Sequence, residues 1–119
     1  MKLITENQER QMRKNGLVNA ARRARGLECE DFQPVVKLFC PWSEPMWLLT
    51  ELDPEDPDLA FGLCDLGMGH PELGTVRLSE LEAIRGHGVL RIERDPDFTP
   101  TETLSAYAEE ARRTGCIQA

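Results

Sequence analysis

The sequence predicts an α+β domain built on a mainly antiparallel sheet of about five strands. Apolar residues recur at helical spacing near both ends of the chain. The middle holds short β-branched and aromatic runs, separated by turns too short for a crossover helix. Helices before and after such a sheet are typical of α+β proteins. At 119 residues the chain is expected to form a single domain, residues 1–119.

The first predicted element is a helix over residues 5–25. Thr5 and Gln8 form a Thr-x-x-Gln capping box at its start, and Gly26 suits its end. Asn15 and Gly16 interrupt the pattern, which leaves open either one bent helix or two short ones.

Five strands follow from runs that turn residues separate. Pro34 and Pro41 bound the first run. The last run alternates apolar and polar residues, which is typical of a strand with one solvent-exposed face. The expected strands are 35–40, 46–52, 59–66, 73–77 and 89–94. The first could be a sheet edge, and because unpaired edges promote pairing between chains, a homodimer through that edge is left open.

Two more helices complete the prediction. Ser79 and Glu82 form a Ser-x-x-Glu box that predicts a short helix over 79–85, after the fourth strand. The last helix is expected over 103–114, with Gly115 as its cap. Inward positions of these elements predict a core that includes Val36, Leu38, Trp47, Leu49, Phe61, Leu63, Leu81 and Ile92.

The charge balance restricts the classes of partner. The chain has 14 basic and 21 acidic side chains, for a net charge of −7 and a pI near 4.8. General binding to nucleic acid or to anionic membranes is therefore unexpected, because both require a cationic surface.

The acidic residues are concentrated in the middle of the chain. Residues 38–76 carry eight acids and no lysine or arginine. We interpret this segment as a docking surface for a basic protein, and the alternative is solubility and turn chemistry. Because the acids are expected to lie in an exposed turn, neutralising them should hardly change stability. The candidate partner-binding residues are Trp42 as an apolar anchor and the acids Asp53, Glu55, Asp56, Asp58 and Glu72.

Two other function classes have candidate residues. Arg22, Arg23 and Arg25 could contact phosphate in a DNA- or RNA-associated accessory factor, although arginines at a helix end are commonly solvated. Scattered carboxylates such as Glu51 and Glu80 could form the site of a small enzyme, and a deep pocket lined by converging acids would favour that alternative.

The remaining chemistry-bearing residues predict neither catalysis nor a cofactor. The four cysteines have no C-x-x-C pair, so we expect free thiols and no metal. The acidic run at 53–58 lacks the glycine and the closing glutamate of a calcium loop. His70 and His87 lie in predicted loops outside any nucleophile motif. No apolar run could span a bilayer and no leader is evident, so we expect a cytoplasmic protein.

Several runs in order resemble one bacterial family. They are WLLTELD at 47–53, AFGLCDLG at 60–67, ELG at 72–74, LSELEAIRG at 78–86 and IERD at 92–95. Their combination is similar to the domain of unknown function 2958 family, over about residues 3–107. The resemblance implies a small cytoplasmic protein often carried on plasmids, integrating conjugative elements and phages, with no established activity or catalytic residues.

Together these observations give the hypothesis of a non-enzymatic accessory protein of a mobile genetic element. It would bind a basic host or element protein through its acidic surface, in an anti-defence role resembling nucleic-acid mimicry.

Overall fold

The structure, a computed structural model, describes residues 3–119 and confirms the α+β fold. A five-stranded antiparallel sheet has the order β4-β3-β2-β1-β5. The elements in chain order are α1 (Glu6–Ala24), β1 (Val36–Phe39), β2 (Met46–Asp53), β3 (Asp56–Asp65), β4 (Glu72–Arg77), α2 (Leu78–Ala83), β5 (Glu93–Arg94) and α3 (Leu104–Thr114).

Helix α1 is continuous, so the Asn15–Gly16 pair neither ends nor divides it. The predicted capping box is confirmed: Gln8 N donates to Thr5 Oγ1 at 3.1 Å and Thr5 N donates to Gln8 Oε1 at 2.9 Å. A β-carbon built on Gly16 would lie 1.8 Å from the carbonyl oxygen of Leu52. The glycine therefore lets α1 approach the backbone of β2 directly.

The sheet packs in three layers, with a hydrophobic cluster on each face. Successive residues of β2 alternate between the faces, so Trp47 and Leu49 join the cluster under α1 and α2, whereas Leu48 joins the cluster under α3. Most of the predicted core is buried as expected. Phe61 is only half-buried, because it forms part of a cavity wall.

A bulge at Thr50 reverses this alternation in the second half of β2. Leu49 pairs with Gly62 and Glu51 pairs with Phe61, so Thr50 has no residue opposite it. Asn15 Nδ2 donates to the carbonyl oxygen of Thr50 at 2.9 Å. Beyond the bulge Leu52 lies in the cluster under α1, and Glu51 shares the face of Phe61.

The fifth strand is much shorter than predicted, with only Glu93–Arg94 paired to β1. Its expected first half forms a turn instead, in which Gly86 N donates to the carbonyl oxygen of Leu90 at 2.9 Å. Val89 is 91% exposed. The alternation of apolar and polar residues over 89–94 therefore predicted too long a strand. The turn pairs its own backbone groups, so these groups do not need a neighbouring strand.

Two further expectations are also wrong. Ser79 does not cap α2, since its backbone nitrogen and hydroxyl both donate to Asp58 and the helix begins at Leu78. Strand β1 is not an edge, because it lies between β2 and β5; β4 is the longer outer strand. A homodimer through a sheet edge stays a prediction, and β4 is the edge that it would use.

Candidate functional site

A cavity of about 520 Å³ opens where the bulged end of β2 meets the start of α3 and the linker after α1. This volume lies within the usual range of small-ligand sites. Its walls are mainly apolar, formed by Phe32, Leu52, Leu59, Phe61, Leu73 and Leu104. The charged and amide side chains of the lining come from α1, the linker and β2, and they are Asn19, Arg23, Glu30, Asp31, Glu51 and Asp53.

Glu51 is the most buried carboxyl group of this cavity, with 8% of its surface exposed. The bulge at Thr50 places it on the cavity face. Asn19 Nδ2 donates to its Oε2 at 2.8 Å, whereas Oε1 receives no hydrogen bond from residues 3–119. Burial raises the pKa of Glu51, and the Asn19 hydrogen bond and the Arg23 charge offset only part of that effect.

Asn19 joins three parts of the site. Its Oδ1 accepts from Glu30 N at 2.7 Å, and its Nδ2 also approaches the Glu30 carbonyl oxygen at 3.3 Å. One buried amide thus fixes the linker to α1 and orients Glu51 at the same time.

Asp31, in the linker after α1, supplies a fixed negative charge to the cavity lining. Its carboxylate accepts from Ser105 N at 3.1 Å and from the Ser105 hydroxyl, and Leu104 N donates to the Phe32 carbonyl oxygen at 2.9 Å. Desolvation raises the pKa of Asp31, but the hydrogen bonds from Ser105 and Thr103 together hold it below the ordinary value. Asp31 therefore remains ionised at neutral pH.

The charge of the cavity lining is predominantly negative. Among residues 3–119, four carboxyl groups line it, and Arg23 is the one basic side chain of the lining. Arg23 Nη1 donates to Cys29 Sγ at 3.2 Å, which places the guanidinium against the linker. Arg22 approaches Glu30 at 4.0 Å, and Arg25 is exposed. Nucleic-acid contact by these three arginines stays a hypothesis.

Four of the five predicted acidic residues, Asp53, Glu55, Asp56 and Asp58, lie on the β2–β3 hairpin, next to the cavity. Asp53 Oδ1 accepts from Glu55 N at 2.8 Å, and both Asp53 and Pro54 line the cavity. Asp56 forms a 2.8 Å ion pair with Arg77. The hairpin therefore extends the negative lining outward.

Asp58 binds the start of α2. It accepts from Ser79 N at 2.9 Å and from Ser79 Oγ at 2.7 Å, and these bonds are the main reason that its pKa is lowered. The acidic run is thus partly structural, and neutralising Asp56 or Asp58 is expected to affect stability more than the sequence suggests.

The other candidate residues lie outside the cavity lining. Trp42 is half-buried against the core, with its ring packed on Gly86. Glu72 is exposed on β4. Glu80 is exposed on α2, so the structure does not bring Glu51 and Glu80 together in this site.

Within residues 3–119 no group of histidine, cysteine and acidic side chains could hold a metal ion. Cys29, Cys40, Cys64 and Cys116 are free, and burial raises the pKa of the Cys64 thiol. None of the helices formed by these residues is both long and apolar enough to cross a bilayer.

We expect Glu51→Gln to reduce the loss of stability between acidic and neutral pH. The raised pKa means that the folded state binds this proton more tightly than the unfolded state, whose value is near 4.5. Its stabilising effect is full below that value and is lost as pH rises through the folded pKa. Glutamine retains the acceptor for Asn19 but does not titrate in this range.

The measurement is the free energy of urea unfolding at a series of pH values. The matched control is Glu109→Gln, which changes an exposed charge on α3. If the free energy of unfolding changes with pH in the same way for wild type and Glu51→Gln, the raised pKa assigned to buried Glu51 is wrong.

Fold and site together define an α+β domain with an acidic, ligand-sized cavity at one end of its sheet. A family model described as protein of unknown function (DUF2958) matches residues 3–118, so the chain belongs to that family. No curated protein and no solved structure matches the chain in the corresponding comparisons.

Proposed function

We propose that the chain is a non-enzymatic binding protein that docks a basic partner protein where the β2–β3 hairpin adjoins the cavity. The supporting observation is an apolar cavity whose rim continues into the acidic hairpin and whose lining, in the part of the chain that the structure describes, holds four carboxyl groups and a single arginine. The negative field would steer the partner, and an apolar side chain of the partner would then enter the cavity. In this arrangement the partner supplies the anchor, and Trp42 does not.

The proposed setting is that of an accessory protein of a mobile genetic element. A basic protein that handles nucleic acid, such as a defence nuclease, is the natural class of target, because its own phosphate-binding surface is cationic. An acidic hairpin beside an apolar cavity would compete with nucleic acid for that cationic surface. The resemblance to the family is what supports this setting.

The double variant Asp53→Asn/Glu55→Gln is expected to slow association with the partner roughly tenfold at low salt. Both changes remove charge, and asparagine keeps the acceptor for Glu55 N. The dissociation rate is expected to change little. Added salt should reduce the difference in association rate between wild type and variant, because salt screens the electric field of the wild-type hairpin.

The test begins with capture from a bacterial lysate on the wild type and on the variant, compared by quantitative mass spectrometry. Association rates are then measured with the purified protein whose capture depends on the hairpin. Glu109→Gln/Glu110→Gln is the matched control, since it removes two charges from α3 outside the cavity lining. Equal association rates for wild type and hairpin variant at low salt would overturn the proposal.

Catalysis is the second candidate function, and the environment of Glu51 is the observation that favours it. A carboxyl group with a raised pKa in an apolar pocket is the arrangement of many general acids. The captured partner, incubated with wild type, should then change in mass, and Glu51→Gln should abolish that change. An unmodified partner that remains bound would favour the binding function.

A further inference from the structure

We infer that the cavity receives a lysine side chain of the partner, with its ammonium group on Glu51 Oε1 and its stem and an adjacent apolar residue along the apolar walls. This inference rests on the proposed function and specifies the chemistry of the partner at that site. Three features of the cavity support it: the available acceptor, the fixed charges and the form of the walls.

The available acceptor favours an ammonium over a guanidinium group. Arginine binds a carboxylate best through two parallel hydrogen bonds, one to each oxygen. Here Asn19 already donates to Glu51 Oε2, so only Oε1 has no hydrogen-bond donor among the described residues. An acceptor confined to one carboxylate oxygen suits the compact point charge of lysine.

The surrounding charges favour a cation over a neutral donor. Asp31 is held ionised by Ser105, and Glu30 and Asp53 add negative charge at the rim. Arg23 is the opposing charge, and it acts on Glu51 from the α1 side. Among the described lining residues, a cation at Oε1 would therefore gain from three carboxylates beyond Glu51 and be repelled only by Arg23.

The walls favour a long apolar stem. A lysine packs its methylene groups against apolar surface and places its charge at the end. Phe61 and Leu104 line the route that such a stem would take, and the cavity volume of about 520 Å³ leaves room for a neighbouring leucine-sized side chain.

The test uses three blocked tripeptides, acetyl-Leu-X-Leu-amide, in which X is lysine, arginine or norleucine. Binding is followed by chemical-shift changes of backbone amides in the labelled full chain. We expect the lysine peptide to bind most tightly, with shifts centred on Asn19, Phe61 and Ser105. A charge-assisted hydrogen bond in a buried site corresponds to about a tenfold to hundredfold difference in Kd between lysine and norleucine.

Two variants give opposite expected effects. Glu51→Gln should reduce lysine-peptide affinity to the norleucine level, while Arg23→Gln should increase it several-fold. Glu109→Gln should change neither. Equal affinities of the lysine and norleucine peptides for the wild type, or shifts that map outside the cavity, would overturn the inference.

These outcomes separate the inference from the proposed function. Suppose that Glu51→Gln does not change the affinity of the lysine peptide, but the hairpin variant still slows association of the captured partner. The lysine assignment is then wrong and the proposed function stands. If both the peptides and the partner are insensitive to every variant, the proposed function is wrong as well.

Discussion

Replacing Gly16 by alanine is expected to lower the free energy of unfolding by about 3 kcal/mol. The new β-carbon would lie 1.8 Å from the Leu52 carbonyl oxygen and 3.0 Å from the carbonyl carbon, both of which are backbone atoms of a central strand. No rotamer change can relieve that overlap, so α1 must move away from β2. In an unconstrained helix the same substitution stabilises by about 1 kcal/mol. A loss of stability in Gly16→Ala would therefore show that the close contact with β2 outweighs the helix propensity of alanine.

Urea unfolding of Gly16→Ala and of Gly74→Ala is the measurement. Gly74 on β4 has no atom within 4 Å of a built β-carbon and no positive φ, so its substitution should change stability by less than about 0.5 kcal/mol. A Gly16→Ala protein as stable as the wild type would contradict the close packing of α1 on β2.

The same position shows what local sequence patterns can and cannot predict. Asn15–Gly16 is a chain-breaking pair by propensity, and the sequence left open whether it ends a helix. In the fold Asn15 binds the Thr50 carbonyl oxygen and Gly16 contacts Leu52, so both residues serve contacts with β2. Packing against β2 outweighs the low helix propensity of the Asn15–Gly16 pair. Because β2 is distant in sequence, no local pattern around the pair indicates this contact.

Most strands and α3 were predictable because their apolar patterns match their burial. In α1 the pattern does not match: Leu17 is 56% exposed, and the buried positions are Met12, Asn15, Gly16 and Asn19. The capping box predicted at Ser79 does not form, because Asp58, 21 residues away in sequence, takes the Ser79 hydrogen bonds. A local motif identifies a helix start only when no distant group competes for the same donors.

The candidate site was only partly predictable. Glu51 could be named as a carboxylate, but the bulge that turns it toward the cavity leaves no sign in the apolar run of residues 46–52. Asn19 lies 32 residues from Glu51, and Asp31 lies 74 residues from Ser105. Both looked like ordinary polar residues of a helix and a linker, because their roles depend on contacts that only the folded chain makes.

Asp65→Ala is expected to be the other strongly destabilising change, with a loss of roughly 3 kcal/mol. The side chain is 3% exposed at the end of β3. Its Oδ1 accepts from Gly67 N at 2.8 Å, and its Oδ2 accepts from Ile117 N at 3.0 Å. Alanine would leave the buried Ile117 N without its acceptor, remove the acceptor of Gly67 N and release the segment that places Ile117 in the cluster under α3.

The control is Asp97→Ala, which makes the same chemical change at an exposed turn and should cost less than about 0.5 kcal/mol. Asp65→Asn should fall between the two, since one oxygen remains an acceptor while the new NH₂ group faces a donor. Amide hydrogen exchange gives the local readout: Ile117 should lose protection in Asp65→Ala more than the centre of the sheet does. If Ile117 stays protected and unfolding is unchanged, Asp65 does not hold this segment, and its burial needs another cause.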